Sequence, residues 1–270
     1  MITKAQIQFI RSLEQKKVRD ESGCFIAEGD KLVREAIELP PDGSFQVRTI
    51  CGVESWLDSN LSGIRNPEAE VIPVSDRELE RISLQKAPNQ VLAVISRYET
   101  TAPVFDFNSD LLIGLNQVQD PGNVGTIVRL ADWFGLDGII ASVDSADFFS
   151  PKVVQSSMGS IFRLKLLTTD LYKFIKSLPL DCPVYGTHLD GQNLYTAKLT
   201  SNGLILLGNE SRGLSTDLTE LTTENLLIPD FSEGKFRPES LNVSIAAAIV
   251  CSEFRRRGNG EQNLRRTLHP

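Results

Sequence analysis

The stretch Leu111-Leu112-Ile113-Gly114-Leu115-Asn116-Gln117-Val118-Gln119-Asp120-Pro121-Gly122-Asn123-Val124-Gly125 runs from an apolar segment through a polar loop into a helix start. Its first five residues, bounded by turn formers, read as a buried strand, and proline suits the first turn of the helix that continues over residues 124–134 and carries Arg129. The same rhythm returns downstream at residues 138–141, 150–158, 162–167, 171–178, 184–187, 204–207, 226–228 and 241–257. Strands alternating with amphipathic helices predict an α/β fold whose mainly parallel sheet is covered on both faces. Ligands of such sheets sit beyond the carboxyl ends of the strands, so the loops there are where chemistry is sought. Three are rich in Gly, Asn and Ser: residues 116–125, residues 208–215, and the segment from Pro229 to Ala248.

Upstream, residues 1–38 read as helix, short strand and helix, and short elements then alternate to residue 96. A stretch rich in turn-forming and acidic residues follows. The expected organisation is a smaller α/β domain over 1–96, a linker over 97–110, the parallel-sheet domain over 111–257 and a basic tail over 258–270.

The 270 residues are 41% hydrophobic and 23% charged, which excludes global disorder and collagen-like fibres. The longest apolar stretch, residues 243–251, falls short of the roughly 20 residues that span a bilayer, and the N-terminus lacks an apolar signal core. No membrane association is expected. Cysteines at 24, 51, 182 and 251 show neither CxxC nor Cys/His ligand spacing, so no metal is expected and a reducing, cytoplasmic setting fits. The net charge of −7 argues against a generic nucleic-acid coat. Positive charge collects at the two ends, in Lys16, Lys17, Arg19, Lys31 and Arg34, and in Arg255, Arg256, Arg257, Arg265 and Arg266. Such clusters read equally as solvated helix faces.

No loop carries GxGxxG, GxxxxGKS or GxSxG, so dinucleotide binding, P-loop hydrolysis and the serine hydrolase elbow lack their spacing. Loops that offer backbone groups and few carboxylates suit a neutral cofactor read at its edges, such as an adenosine moiety, better than a bare metal. Gly122 and Gly125 alone could be ordinary turn glycines at a helix start.

Together the three loops resemble the signature motifs of the SpoU (TrmH-like) class of SPOUT RNA 2′-O-ribose methyltransferases. The first supplies Asn116, Pro121, Asn123, Gly125, Arg129 and Ala131; the second is GNExxGLS over residues 208–215; the third is Ile228-Pro229 followed by SLNVSxAAAI over residues 240–249. The segment Ser150-Pro151-Lys152-Val153-Val154, with Ser157-Met158-Gly159-Ser160, also matches the middle of that domain. Lys16-Lys17-Val18-Arg19, Gly23, Glu28-Gly29 and residues 88–93 resemble the family's N-terminal RNA-substrate-binding domain. The resemblance implies a deep trefoil knot holding S-adenosylmethionine, a homodimer, and an RNA substrate, ribosomal in preference to transfer RNA. It implies cofactor contacts from Thr187, Leu207, Gly208, Gly213, Ile228 and Leu241, and a catalytic set of Asn123, Arg129, Glu210, Ser240 and Asn242. Taken with the basic cluster at the N-terminal end, it points to RNA contacts at Lys16, Lys17, Arg19, Lys31 and Arg34. The chain departs from the family between Pro229 and Ser240, where the pattern IPMxGxxxSLN is replaced by a longer segment lacking its Met and Gly.

Arg129 is read as a bidentate phosphate clamp, since a guanidinium is effectively always protonated and a poor base. Glu210 either pairs with Arg212 or orders the Asn123 amide, and Ser240 either caps the following helix or bonds substrate. His188 and His269 are the only histidines, and neither is read as a base. The helix over 241–254, apolar on nearly every side, is either buried all round or part of an interface. Rival readings are a catalytically inactive RNA-binding or ribosome-assembly module with the same fold and, more remotely, a nucleotide-dependent oxidoreductase.

Overall fold

A capping box opens the first helix: the Thr3 hydroxyl accepts from the Gln6 amide, and the Gln6 side chain accepts from the Thr3 amide. The computed structural model describes residues 2–40, 43–97, 102–232 and 239–258. In chain order these form α1 (Lys4–Ser12), α2 (Lys16–Ser22), β1 (Cys24–Glu28), α3 (Asp30–Ile37), β2 (Phe45–Gly52), α4 (Glu54–Asn60), β3 (Glu70–Pro73), α5 (Asp76–Ile82) and β4 (Val91–Arg97). There follow β5 (Leu111–Leu115), α6 (Pro121–Trp133), β6 (Gly138–Ser142), α7 (Pro151–Ser157), β7 (Lys165–Thr169) and α8 (Leu171–Lys176). The last elements are β8 (Val184–Asn193), β9 (Gly203–Leu207), α9 (Thr216–Thr219), β10 (Glu224–Leu227) and α10 (Val243–Gly258). Contacts divide the chain into two compact units, Met1–Ala102 with Asp147–Arg163, and Pro103–Ala146 with Leu164–Pro270.

The first unit is built on a mixed sheet of order β1-β4-β2-β3, in which β4 runs antiparallel to both neighbours and β2 pairs parallel with β3. Alternate residues of a strand face opposite sides, and both sides of β1 are buried. Cys24 and Ile26 pack with Ile10, Leu13, Ile82 and Leu92. Phe25, on the other side, meets Phe45, Phe149 and Phe162 at centroid separations of 5.0–6.3 Å, and the Arg97 guanidinium lies 4.4 Å from the Phe149 ring centroid. Two of these rings come from residues 147–163. The sequence reading ran the second domain unbroken through this segment, whereas its contacts belong to the first unit.

Arg19 is the clearest departure from expectation. Its side chain is 4% exposed, donates from Nε and Nη2 to Asp147 Oδ2 at 3.0 and 2.6 Å, and donates from Nη1 to the Leu13 and Glu14 carbonyls. A guanidinium so enclosed and satisfied is a structural strut and is closed to RNA phosphate. Lys16 and Lys17 are exposed but face Asp20 at 2.6 Å and Glu21 at 3.8 Å along α2, and Arg34 pairs with Asp30 at 2.6 Å. Of the five expected RNA contacts, only Lys31 is exposed with no partner among the described residues.

The second unit carries six parallel strands in the order β10-β8-β9-β5-β6-β7. β5, β6 and β9 are buried along their whole lengths, which explains their uninterrupted apolar runs. Gly114 allows close packing across β5: a Cβ there would stand 2.5 Å from Leu206 Cδ2. Phe105 and Phe107 pack edge-on against Phe174, so residues 103–110 of the expected linker are part of this unit. Asp120 caps α6 by accepting from the Asn123 amide at 2.8 Å, with Pro121 in the first turn.

α10 packs on α6. Val243, Ala247, Val250, Cys251 and Phe254 are buried, and desolvation pushes the Cys251 thiol up to about 12. Ile245 is 53% exposed, however, and Leu241, just before the helix, 47%, so the helix has one buried side and one open apolar side. Arg255 donates to the Phe134 and Gly135 carbonyls at the end of α6, while Arg256 and Arg257 pair with Glu253. The expected tail over 258–270, with Arg265, Arg266 and His269, lies outside the described residues beyond Gly258. No described helix is long and apolar enough to cross a membrane.

Arg19→Ala strands the Asp147 carboxylate and frees two carbonyls in a closed site. Urea unfolding is expected to show a loss of about 3–5 kcal/mol. A loss below about 1 kcal/mol would mean that the pair does not hold the unit together.

Candidate active site

The three loops singled out in the sequence converge in the second unit. Asn123, at the third position of α6, stands between residues from the other two. Its Nδ2 donates to Glu210 Oε1 at 2.7 Å, and its Oδ1 accepts from Asn242 Nδ2 at 3.0 Å. Asn242 Oδ1 in turn accepts from the Ser244 amide at 3.0 Å, the Ser244 hydroxyl at 2.6 Å and the Ile245 amide at 3.4 Å. Every donor in this chain points the same way, from the first turn of α10 through two carboxamides to one carboxylate. The positive end of the α10 dipole and the negative carboxylate terminate it with the favourable polarity.

Ser240 joins the group through its hydroxyl, 3.5 Å from the Glu210 carbonyl oxygen. Asn242 supplies the side-chain bonds to the α10 amides that were one of the two roles open to Ser240. Arg129 lies on α6 two turns beyond Asn123, exposed and without a hydrogen bond or ion pair among the described residues. Four of the five expected catalytic residues thus share one hydrogen-bonded group, and the fifth is an unengaged cation on the same helix.

The loop between Glu210 and β9 is held by residues that sequence reading quoted but gave no role. Asn209 Nδ2 donates to the Gln117 carbonyl at 2.9 Å, while its Oδ1 accepts from the Ser211 and Arg212 amides. Asn116 answers from the first loop: its Oδ1 accepts from the Ser215 amide at 3.0 Å and its amide donates to the Leu207 carbonyl at 2.9 Å. Gln117 adopts φ 56°, a left-handed conformation uncommon outside glycine, and its amide donates to Ser142 Oγ. The signal for these roles was an Asn at each strand end, a residue able to bond both to its own turn and to a neighbouring loop.

The expected cofactor contacts line the same strand ends. Leu207 ends β9, buried; Ile228 follows β10, half-buried; Leu241 is exposed ahead of α10; and Thr187 on β8 donates its hydroxyl to the Leu206 carbonyl at 3.0 Å. A Cβ on Gly208 would lie 2.2 Å from the Gly213 carbonyl carbon, so the loop folds back on itself only with glycine there. Gly213 sits at φ 70° with open space where a side chain would stand. Glycine-lined backbone and neutral carboxamides fit an adenosine-type cofactor, and among the described residues no cluster of His, Cys, Asp or Glu could hold a metal ion. His188 Nδ1 accepts from the Asp190 amide. Residues 233–238, within the unusual third loop, lie outside the described residues.

Comparison with known proteins agrees with this geometry. The sequence profile of the SpoU rRNA Methylase family matches residues 110–252, and that of the MRM3-like substrate binding domain matches residues 4–93. The chain is 30% identical over 248 residues to a 23S rRNA (guanosine(2553)-2′-O)-methyltransferase of Bacillus subtilis, covering 91% of this chain and 94% of that one. Among solved structures, a TrmH-family protein of Porphyromonas gingivalis matches with TM-score 0.83 and 39% identity over 95% of this chain and 99% of its own. An AdoMet-bound rRNA methyltransferase of Sinorhizobium meliloti matches with TM-score 0.80 and 30% identity, covering 95% and 96%. With the three motif loops joined through Asn123 on a parallel sheet, and with a matching profile over more than half its length, the chain belongs to the SpoU rRNA methylase family.

Proposed function

We propose that this protein transfers a methyl group from S-adenosylmethionine to a ribose 2′-hydroxyl of ribosomal RNA. The observation that carries the reading is the directional chain from α10 through Asn242 and Asn123 to Glu210. The cofactor, when bound, supplies an electrophilic methyl on a sulfonium. The loop ends at Leu207, Gly208, Gly213, Ile228 and Leu241, with Thr187, are the residues that would hold it. Arg129 binds the target phosphate with its planar fork and so orients the neighbouring hydroxyl. Glu210 fixes the Asn123 amide, Asn242 fixes its carbonyl, and Ser240 braces the Glu210 backbone. Among the described residues, Asn123, Glu210, Ser240 and Asn242 are each partnered and Arg129 is open to solvent, which supports the active reading over the inactive module. The decisive experiment is methylation of deproteinised ribosomal RNA, with the product mapped at ribose. Absence of incorporation alongside normal binding of S-adenosylhomocysteine would overturn it.

The reading extends to a homodimer, a trefoil-knotted chain and a cytoplasmic location. Ile245 and Leu241 on the open side of α10, with Trp133 at 82% exposure near the end of the neighbouring α6, leave apolar surface that a second copy would cover. The strand order supports a knotted path: β10 lies at the sheet edge beside β8, yet Asn242, which follows it, bonds Asn123 in the first turn of α6, the helix after β5. The four free, buried cysteines fit a reducing cytoplasmic setting.

Arg129→Ala is expected to abolish turnover while S-adenosylhomocysteine affinity, read by calorimetry, stays within a few-fold. Arg129→Lys should be nearly as poor, because an ammonium lacks the two-point contact; near-normal methylation by the Lys variant would remove the role. Asn123→Asp sets a second carboxylate against Glu210. We expect kcat to fall by about 100-fold or more near neutral pH, with partial recovery as the pH drops and one carboxyl regains a proton to donate. A flat pH profile would contradict the chain. For the dimer, Ile245→Glu should halve the mass seen by sedimentation, whereas Ala247, buried within the chain, reports only on its core. A wild-type monomer that is fully active would sink the dimer reading.

A further inference from the structure

Residues 147–163, absorbed into the first unit, bring to its surface a polar chain that the methyl-transfer site does not use. Gly29, at φ 100° before α3, lies against the side chain of Asn89, such that a Cβ there would stand 3.3 Å from Asn89 Nδ2. Asn89 Nδ2 donates to Gln85 Oε1 at 3.2 Å, and Gln85 Nε2 donates to Gln155 Oε1 on α7 at 2.8 Å. The hydrogen bonds thus run from Asn89, which lies against Gly29 at the start of α3, through Gln85 in the loop before β4 to α7. An exposed lysine stands beside each part of it: Lys31 two residues after Gly29, Lys86 next to Gln85, and Lys152 one turn before Gln155. None of the three has a partner among the described residues.

Three of the neighbouring acids, by contrast, are engaged within the unit. Glu28 is buried and accepts from the Ser83 hydroxyl and the Leu84 amide. Asp30 is taken by Arg34 and the Trp56 indole, which together hold its carboxyl below the usual range. Glu35 pairs with Arg163 at 2.6 Å. On a chain of net charge −7, three free ammonium groups thus lie close in sequence to a carboxamide chain that is exposed at Asn89 and half-buried at Gln85 and Gln155. A polyanion of regular charge spacing meets such a surface best, whereas α2 offers it balanced ion pairs.

We propose that Lys31, Lys86 and Lys152, spanning α3, the loop before β4 and α7, form the surface that grips the phosphate backbone of the RNA substrate. This rests on the reading of the protein as an RNA methyltransferase and relocates the grip away from α2. It also gives residues 147–163 a part in substrate binding.

The test uses the full-length protein with Lys31→Gln, Lys86→Gln and Lys152→Gln combined, and large-subunit ribosomal RNA stripped of protein as the probe. Binding measured over a salt series should weaken by at least tenfold at moderate salt, and the slope of log affinity against log salt should flatten by about two to three. KM for RNA should rise with kcat little changed, and S-adenosylhomocysteine affinity should be unaltered. A control carrying Lys16→Gln and Lys17→Gln should keep the wild-type slope. If the triple variant keeps wild-type affinity and slope, or if the control shows the loss instead, the proposal is overturned. If wild type itself neither binds nor methylates this RNA, the reading of its substrate fails and the surface assignment falls with it. The single Lys152→Gln variant, on an exposed position of α7, repeats the measurement with the least perturbation of folding.

Discussion

A single amide group, the Asn123 side chain, is what the motif loops have in common. It must donate to one neighbour and accept from another at the same time, and among short side chains only a carboxamide does both in one plane. Asn242 uses its two ends in the same way, one toward α10 and one toward Asn123. The arrangement therefore has a sense of direction, and reversing any member would set like against like. Three segments far apart in sequence are held in one geometry without a buried charge pair, which keeps the site polar yet open to solvent.

Around that group the loops are stitched by exchange. Asn116 reaches from the first loop to the end of the second, and Asn209 reaches from the second to the start of the first. Gln117 is held in its left-handed conformation by bonds at both its amide and its carbonyl, so its strain is offset by the loops it joins. Gly208 removes the one Cβ that would force the second loop open. Catalytic side chains on such loops arrive already oriented, and little ordering remains for substrate to impose.

Much of this was legible in the sequence for a physical reason. Strands buried on both faces leave uninterrupted apolar runs, and β5, β6 and β9 are of that kind. Asn123, Glu210 and Asn242 were picked out by the family resemblance of the Gly-, Asn- and Ser-rich strand ends, and the structure joins them. Charge was less legible than pattern. Lys16, Lys17 and Arg19 look alike on paper, yet two face acids one turn away while the third is enclosed by a carboxylate 128 residues distant in sequence. A run of basic residues says nothing of which acids fold against it. The apolar circumference of α10 was likewise read correctly as composition, but Ala247 and Ile245 differ wholly in exposure, and that difference comes from α6 and not from α10 itself.

The borrowing of residues 147–163 by the first unit bears on how the chain is made. A ribosome releases the N-terminus first, and domains ordinarily fold as soon as they have emerged. Here the emerging sheet of β1 to β4 would still lack Phe149 and Phe162 over Phe25, and Arg19 would still lack Asp147. The first unit can close only after β5, α6 and β6 of the second have been synthesised. Its half-finished state must wait with an uncovered aromatic face, so the nascent chain is most exposed to misfolding and to chaperones over just that interval.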